Sequence, residues 1–515
     1  MTSVLMVAAE NGLLPNLKVG GIADVVSGLS QALVELGHQV TVVTPGYGLF
    51  DSARCTHVGE LSDSFGGGKV TAELLRPPQS GAVESLVIEH PRLRADGQIY
   101  VHDADHPFAT DATRFALFSS LAASLIRTSD VDVVHLHDWH AAAVGLLRGY
   151  SVRHRKLKAI RTLYTIHNLA LQGIRPLHGM SSSLSGWYPG MSYPQTITDP
   201  RWPDCINLMR TGLKLSDHVT TVSETYADEI QLPDEASRGY HGGEGLHRDL
   251  KDLARSGRLS GILNGCDYTT PAAGAALEPA NLVSVLRSEI LRMAADDTHM
   301  RSSYVIALEN LQNVDSDNVA CVVTSVGRTV RQKLALLMET RDGISTLQRM
   351  LQAGGPGTLF VMLGTGEPEV EQFLARTAAA NENLIYIGGY SAAIADALYA
   401  SGQLFIMPSL FEPCGLSQML AMRAGQPCLV HDTGGLKDTV ADERTGWKFD
   451  GDTLADKADN LLQTFTRILP AVQGRTPAYV KIARAAGRCR FTWDASAQAY
   501  AALYQADSAS GVTGK

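Results

Sequence analysis

The sequence predicts an α/β protein in two halves. Short apolar runs of strand length end in glycines or polar residues and pass into helical stretches, repeatedly along the chain. The opening residues read as a βαβ unit with paired glycines at its first turn. After an Ala-, Gly- and Thr-rich stretch the same alternation starts afresh. The 515 residues suffice for two or three domains with large cores. Hydrophobic residues make up 45% and charged residues 19%, which marks a globular chain and not a disordered one.

A formal net charge of −9 argues against a general nucleic-acid binder, which needs a basic footprint. It leaves room for a local basic pocket. The seven cysteines contain no C-x-x-C pair, so neither a zinc nor a disulfide framework is expected. Met1-Thr2-Ser3 enters the first apolar run without a basic leader, so no signal peptide is expected, and an odd cysteine count then suits a reducing cytoplasm. No apolar run is long enough to span a bilayer, so no membrane partner is expected.

Residues 4–9 read as the first strand, a helix runs through Leu29, Ala32 and Leu33, and residues 38–45 form the second strand. Between strand and helix stand Lys18, Gly20 and Gly21. The glycines allow close backbone approach to a ligand, and Lys18 could reach a phosphate. The turn is not the dinucleotide G-x-G-x-x-G, and no acidic residue closes the second strand. Strands alternate over 51–107, with a hairpin or loop at Gly66-Gly67-Gly68, and 114–127 reads as an amphipathic helix. Residues 131–140 read as a buried strand ending in His135, His137, Asp138, Trp139 and His140. His137 and His140 lack the helical i, i+4 spacing of a zinc pair, so metal is disfavoured. A sugar site, with Trp139 stacking and Asp138 and the histidines bonding hydroxyls, stands against satisfied core histidines. A second strand ends in His167 and Asn168. Residues 174–203 read as a long surface excursion, placed over an acceptor groove. Helix, strand and helix follow over 206–230, then a Gly-rich loop at 237–247, and 259–265 closes the first half.

Residues 266–279 read as the linker. A helix over 282–293 precedes the strand 319–326, which runs into Arg328 and Lys333. Cations at a buried strand end could neutralise a diphosphate; a solvated basic turn is the plainer reading. Later strands end in Gly364-Thr365-Gly366 and in Gly388-Gly389-Tyr390. The strand 403–407 leads through Glu412, Pro413, Cys414, Gly415, Leu416 and Ser417 into a helix. A carboxylate for hydroxyls beside helix-start amides for a diphosphate suits a sugar nucleotide, and a capping Glu before a packed helix is the alternative. The last helix runs to Tyr504, and 508–515 reads as a disordered tail.

Taken together these motifs resemble the bacterial glycogen and starch synthases, family five of the retaining glycosyltransferases. The resemblance rests on Lys18-Val19-Gly20-Gly21-Ile22-Ala23-Asp24-Val25, His137-Asp138-Trp139-His140, Thr165-Ile166-His167-Asn168-Leu169, Thr221-Val222-Ser223, Ile262-Leu263-Asn264-Gly265, Arg328 with Gln332-Lys333, Gly364-Thr365-Gly366, Phe411-Glu412-Pro413-Cys414-Gly415-Leu416-Ser417-Gln418 and Thr433-Gly434-Gly435-Leu436. It implies two Rossmann-like domains facing across a deep cleft, the GT-B type, with the C-terminal helix returning to the N-terminal domain. The implied boundaries are 1–266 for the acceptor-side domain, 267–490 for the nucleotide-sugar domain, 491–507 for the returning helix and 508–515 for the tail. The implied reaction moves glucose from ADP-glucose to the non-reducing end of an α-1,4-glucan, with retention, no metal and no cofactor.

By position, Arg328 and Lys333 would hold the diphosphate, joined by Lys18 and the Gly20 and Gly21 amides. Leu416 and Ser417 would add helix-start donors, with Cys414 and Gly415 in the same turn. Glu412 would grip glucose hydroxyls, and His137 would steady charge near the anomeric carbon. Asp138, Asn168 and Gly364 would line the substrate, and Tyr390 would stack on adenine. UDP-glucose as donor, a small acceptor such as a sugar phosphate or polyol, a catalytically idle binding homologue and assembly as a homo-oligomer stay open. The chain departs from the family at Tyr268-Thr269-Thr270-Pro271, where Trp-Asn-Pro is usual, and at Gly327, Leu334, Leu410 and Arg210. The stretch 268–318 matches poorly, which bears on hinge closure and on donor and acceptor choice.

Overall fold

The computed structural model describes residues 1–101, 103, 106, 108–268, 276–297 and 300–505. Residues 269–275 of the expected linker and the expected tail lie outside them. The chain forms two compact units. The first takes Met1–Asp234, Gly242–Gly265 and the chain from Thr492; the second takes Glu235–His241 and Cys266–Phe491. The short segment Glu235–His241, expected in the first half, belongs with the second. Its His241 ring lies 4.5 Å from that of Phe411, and Arg238 donates to the Asp452 carbonyl.

The first unit holds β1 (Ser3–Val7), β2 (Gln39–Pro45), β3 (Thr56–Phe65), β4 (Gly68–Arg76), β5 (Glu84–Glu89), β6 (Val133–His137), β7 (Arg161–Ile166), β8 (Ile174–Pro176), β9 (Cys205–Asn207), β10 (His218–Thr221) and β11 (Leu259–Gly261). Nine of them make one sheet in the order β11-β10-β7-β6-β1-β2-β5-β4-β3. The pairs from β11 through β5 are parallel, and the β3–β4 hairpin closes one edge antiparallel. Gly66 and Gly67, at φ +62° and +79°, make its two-residue turn, a conformation side chains resist.

The helix Ala109–Thr128 is not amphipathic as expected. It is buried continuously from Asp111 to Ile126 except at Thr113. Its polar residues find partners inside the unit. Ser124 donates to the Ser62 carbonyl, and Arg114 to the Gln98 and Ile99 carbonyls. The excursion 174–203 is likewise no mere surface loop, because Leu184, Trp187 and Ile197 sit in the core. Residues 247–255, beyond the Gly-rich loop, form a further helix.

The last helix, Trp493–Gln505, joins the first unit as expected. Ala497, Tyr500 and Tyr504 pack with Val4, Met6, Leu29 and Leu33. A Cβ on Gly28 would fall 2.2 Å from the Trp493 ring, so that approach requires glycine.

The second unit holds β12 (Cys321–Val326), β13 (Thr340–Arg341), β14 (Ile344–Ser345), β15 (Thr358–Leu363), β16 (Leu384–Ile387), β17 (Leu404–Met407), β18 (Cys428–His431) and β19 (Gly446–Phe449). Six form an all-parallel sheet, β16-β15-β12-β17-β18-β19. Helices cover both faces, so the strands are apolar on both. Val322 and Val326 enter one core layer, while Cys321 and Val323 enter the other.

Both sheets are doubly wound. Chain order reverses between β1 and β6 in the first and between β12 and β17 in the second. Ligand sites in such sheets lie at the carboxyl ends of the strands beside the reversal. Those ends carry Glu10 and His137 in one unit, and Arg328 and Ser409 in the other.

Candidate active site

In the second unit a pocket opens at this reversal, lined among others by Gly327, Arg328, Thr329, Lys333, Met407 and Ser409. Arg328 is exposed on the turn after β12. Lys333 is the third residue of the helix Arg331–Met338. Its Nζ lies 2.9 Å from Glu412 Oε2, and Ser409 Oγ donates to the same oxygen at 3.0 Å. Glu412 is only 6% exposed, so its charge is desolvated and depends on these two partners. Lys333 thus meets Glu412 directly, and Arg328 shares the pocket lining with Lys333 and Ser409.

The turn that carries Glu412 is fastened along its length. Leu410 N–H donates to the Gln332 carbonyl at 2.8 Å, and Gln332 Nε2 donates to the Phe411 carbonyl at 3.0 Å. Gly435 N–H donates to the Glu412 carbonyl at 3.0 Å. Glycine is required at 435, because a Cβ there would lie 2.3 Å from the Cys414 carbonyl oxygen. Gly415 sits at φ +76° and leads to Leu416, which opens the helix Ser417–Arg423. Gln418 Nε2 bonds back to the Cys414 and Gly415 carbonyls at 3.0 and 2.9 Å. The conformation of Glu-Pro-Cys-Gly-Leu-Ser-Gln is therefore set partly within the motif, by Gly415 and Gln418, and partly by Gln332 and Gly435 outside it.

Gly364, at the end of β15, lets two strand ends meet; a Cβ there would sit 1.8 Å from the Gly327 carbonyl oxygen. Glu371 fixes the following loop, accepting from the Thr365 hydroxyl and, at 2.7 Å, from Gly366 N–H. Tyr390 is 70% exposed, open for stacking.

In the first unit β6 ends in a row of aromatic rings. His135 Nδ1 meets Tyr504 Oη at 2.9 Å and its Nε2 meets Thr165 Oγ1 at 2.6 Å. The His137 ring lies 4.2 Å from that of His135, and its Nδ1 meets His167 Nε2 at 3.0 Å. Burial pushes His135, His140 and His167 down to about 3 and His137 well below its ordinary value, so all four are neutral. His137 is fully buried, whereas His167 is 9% exposed. His137 therefore lies beneath His167 and supports its ring. Trp139, expected to face a sugar, is a core residue instead. It is 2% exposed, and a Cβ on Gly173 would meet its ring at 2.3 Å.

Asp138 adopts φ +56°, a strained conformation for a side chain, which turns its carboxyl toward the end of β7. There Oδ1 accepts His167 N–H at 2.8 Å. Burial raises Asp138 to about 8, partly offset by backbone N–H donors of His167 and Asn168. Asn168 Oδ1 accepts Ala170 N–H at 3.0 Å and shapes the turn.

Lys18 is exposed and ion-paired with Asp24 at 2.6 Å. Its loop is anchored by a residue the sequence reading passed over. Glu10, 1% exposed, accepts from Val19 N–H and Gly20 N–H through Oε2, both at 2.7 Å. Its Oε1 accepts from the Tyr100 hydroxyl at 2.7 Å. The Gly20 amide, expected to meet a diphosphate, is thus taken by Glu10, while Gly21 begins the helix Gly21–Glu35. A signal was present: an acid at the end of an otherwise apolar first strand. Glu10→Leu, which strands three donors, should cost about 1–3 kcal/mol, read as a lower urea midpoint. Glu10→Gln can accept from both amides and donate to Tyr100, and should lose far less. Equal losses would rule this anchoring out.

A family model described as "Starch synthase catalytic domain" matches residues 3–252, and one described as "Glycosyl transferases group 1" matches 319–464. The chain is 32% identical to a "Glycogen synthase" of Streptococcus equi subsp. zooepidemicus, over 98% of this chain and 99% of that one. The chain belongs to the glycogen and starch synthase family. A Paracoccus denitrificans "Glycogen synthase" is also 32% identical, over 99% of this chain and all of the relative. Among solved structures, the catalytic domain of starch synthase IV from Arabidopsis thaliana bound to ADP and acarbose superposes with a TM-score of 0.76 at 26% identity, covering 98% of each chain. Sucrose-phosphate synthase from Thermosynechococcus elongatus, at TM-score 0.57 and 16% identity, shares the fold. As a member of the glycogen and starch synthase family, the chain is a retaining glycosyltransferase of the GT-B fold. No helix among the described residues is long and apolar enough to cross a membrane.

Proposed function

We propose that the chain lengthens an α-1,4-glucan, moving glucose from ADP-glucose to the non-reducing end with retention of configuration. The observation that carries this reading is the buried Lys333–Glu412–Ser409 cluster beside Arg328 at the β12–β17 reversal. Both bonds to Glu412 fall on Oε2, which leaves Oε1 for a sugar hydroxyl. Arg328 and Lys333 neutralise the departing diphosphate. Leu416 and Ser417 add amides at a helix start, and Gly364 leaves room for the nucleotide, with Tyr390 against its base. Asp138 and Asn168 shape the loop around His167, and His137 acts from beneath that ring. The ADP and acarbose bound by the starch synthase IV relative support a nucleotide and a glucan-like acceptor here.

The reaction then proceeds on one face of the sugar. The bond from the anomeric carbon to the diphosphate oxygen breaks, the acceptor oxygen bonds to that carbon, and the acceptor proton passes to the diphosphate. Preorganised cations stabilise the charge that develops on the leaving group. No residue is asked to form a covalent intermediate, and trapping a glucosyl-enzyme would refute this course. We place the activity in the cytoplasm, on the scattered cysteine usage.

A donor panel tests the reading. With glycogen as acceptor, ADP-glucose is expected to be turned over well ahead of UDP-glucose, followed by nucleotide release. Turnover confined to glucose-1-phosphate or a polyol as acceptor would replace it with transfer to a small molecule. Binding of ADP-glucose without turnover on any glucan would make the chain a binding homologue.

A further inference from the structure

Against the Glu412 turn lies a second buried group that is absent from the pocket lining. β18 ends in His431, 2% exposed, whose ring stacks on Phe449 at 5.5 Å and 25°. Its Nδ1 lies 2.8 Å from the Ser409 carbonyl oxygen. A carbonyl only accepts, so this nitrogen donates. Its Nε2 faces Asp450 Oδ1 at 3.1 Å, and a carboxylate likewise only accepts, so both ring nitrogens carry a hydrogen. Asp450 is itself held: Gly451 N–H donates to Oδ1 at 2.7 Å, Asn460 donates to its carbonyl at 2.7 Å, and Lys457 Nζ lies 3.6 Å away.

We infer that His431, oriented by Asp450, is a positioning residue for Glu412, acting through Ser409; this rests on the reading that Glu412 meets the sugar. The connection is continuous. Asp450 orients the imidazole, the imidazole fixes the Ser409 carbonyl, and the fixed backbone aims Ser409 Oγ at Glu412 Oε2 at 3.0 Å. Ser409 is fully buried, so water does not replace a lost donor to its carbonyl. Gln332 fastens Leu410 and Phe411, and His431 fastens Ser409. Between them the turn has one position, and with it the carboxylate. Lys333 alone would leave Glu412 free to follow a long, flexible side chain.

Three substitutions separate the two bonds of the ring. An asparagine amide nitrogen takes the place of Nδ1 and reaches Ser409; a glutamine amide nitrogen takes the place of Nε2 and reaches Asp450. The expected result is that His431→Leu lowers kcat by about ten- to a hundredfold, the scale of a slightly misplaced reacting geometry, with the ADP-glucose KM little changed. His431→Asn should recover most of that loss and His431→Gln should not, while thermal melting places Asn and Gln variants at similar stability. Glu412→Gln, assayed alongside, keeps the two levels apart. If Glu412→Gln turns over like the parent enzyme, the role of Glu412 falls and the inference with it. If Glu412→Gln is impaired while His431→Leu is not, or while Gln rescues and Asn does not, the positioning role alone is overturned. Rates that follow melting temperature across all three variants would also overturn it, since they report a purely structural histidine.

Discussion

Lys333→Ala is expected to lose two to three decades of turnover on ADP-glucose and glycogen, about 3–4 kcal/mol of transition-state stabilisation. The loss has two sources. The variant no longer offers a cation to the departing diphosphate, and it deprives Glu412 of its 2.9 Å partner in a place that is only 6% exposed. The second source should also appear in stability. Removing one member of a buried ion pair costs about 3–5 kcal/mol at full burial, and less here because the Lys333 side chain keeps 16% of its exposure. Nucleotide release should therefore be followed at a temperature where circular dichroism reports a folded variant. Lys333→Arg keeps the charge but presents a planar fork in place of a compact ammonium, and should recover only part of the rate. An alanine variant within about tenfold of the parent, far short of the loss of a charge-stabilising contact, would remove Lys333 from the chemistry.

The second large effect is on acid stability. His135, His140 and His167 are held near 3, and His137 well below its ordinary value, because burial disfavours their charged form. Groups with depressed folded values contribute stability that is complete above the unfolded value of about 6.5. It is lost as pH falls from there toward 3, because the unfolded chain takes up protons that the native row refuses. Asp138, raised to about 8, works in the opposite sense. Its proton favours the native state fully below about 4, and that contribution fades as pH rises to 8. It offsets one of the four. For these five groups alone a net uptake of roughly three protons on unfolding corresponds to a contribution of roughly 4 kcal/mol lost per pH unit between pH 6 and 4.5; Asp111, raised to about 6, and His218, lowered to about 4, act in opposite senses over the same interval. Urea midpoints measured across that interval would read it directly. A flat profile from pH 7 to 5 would mean that the row takes up protons while folded.

Much of the second unit was legible in the sequence because its signals are local. The turn from β17 through Glu412 into the helix at Ser417 is specified within a dozen residues, by Gly415 at positive φ and by Gln418 bonding back to it. Arg328 and Lys333 follow β12 at once, so the meeting of Lys333 with Glu412 needed only the correct pairing of β12 with β17. What escaped notice depends on partners far apart in the chain. Glu10 reaches Tyr100 across 90 positions, and His431 reaches back 22 positions to Ser409. Neither spacing leaves a periodic trace. The direction of Trp139 was equally hidden. Its neighbours come from two other segments, Phe108 and Phe115 at the start of one helix and Gly173 beyond β7, and they decide that the ring faces the core. The helix Ala109–Thr128 misled for a related reason. Serines and an arginine mimic a solvent face until their acceptors, such as the Ser62 carbonyl, are known.

The last helix has a consequence for how the protein is made. Trp493–Gln505 supplies Ala497, Tyr500 and Tyr504 to the core around β1, and Tyr504 also props the histidine row through His135. A nascent chain emerging from the ribosome presents β1 first and these residues last, with the whole second unit translated in between. Val4, Met6 and Leu33 therefore wait for this cover while at least 464 further residues, from 34 to 497, are added, at a rate of about 5–20 residues per second. The second unit, continuous over Cys266–Phe491 apart from one seven-residue segment already synthesised, can fold before the first is complete. Premature termination before Tyr504 would then leave a molecule whose second unit is formed and whose histidine row has lost its prop.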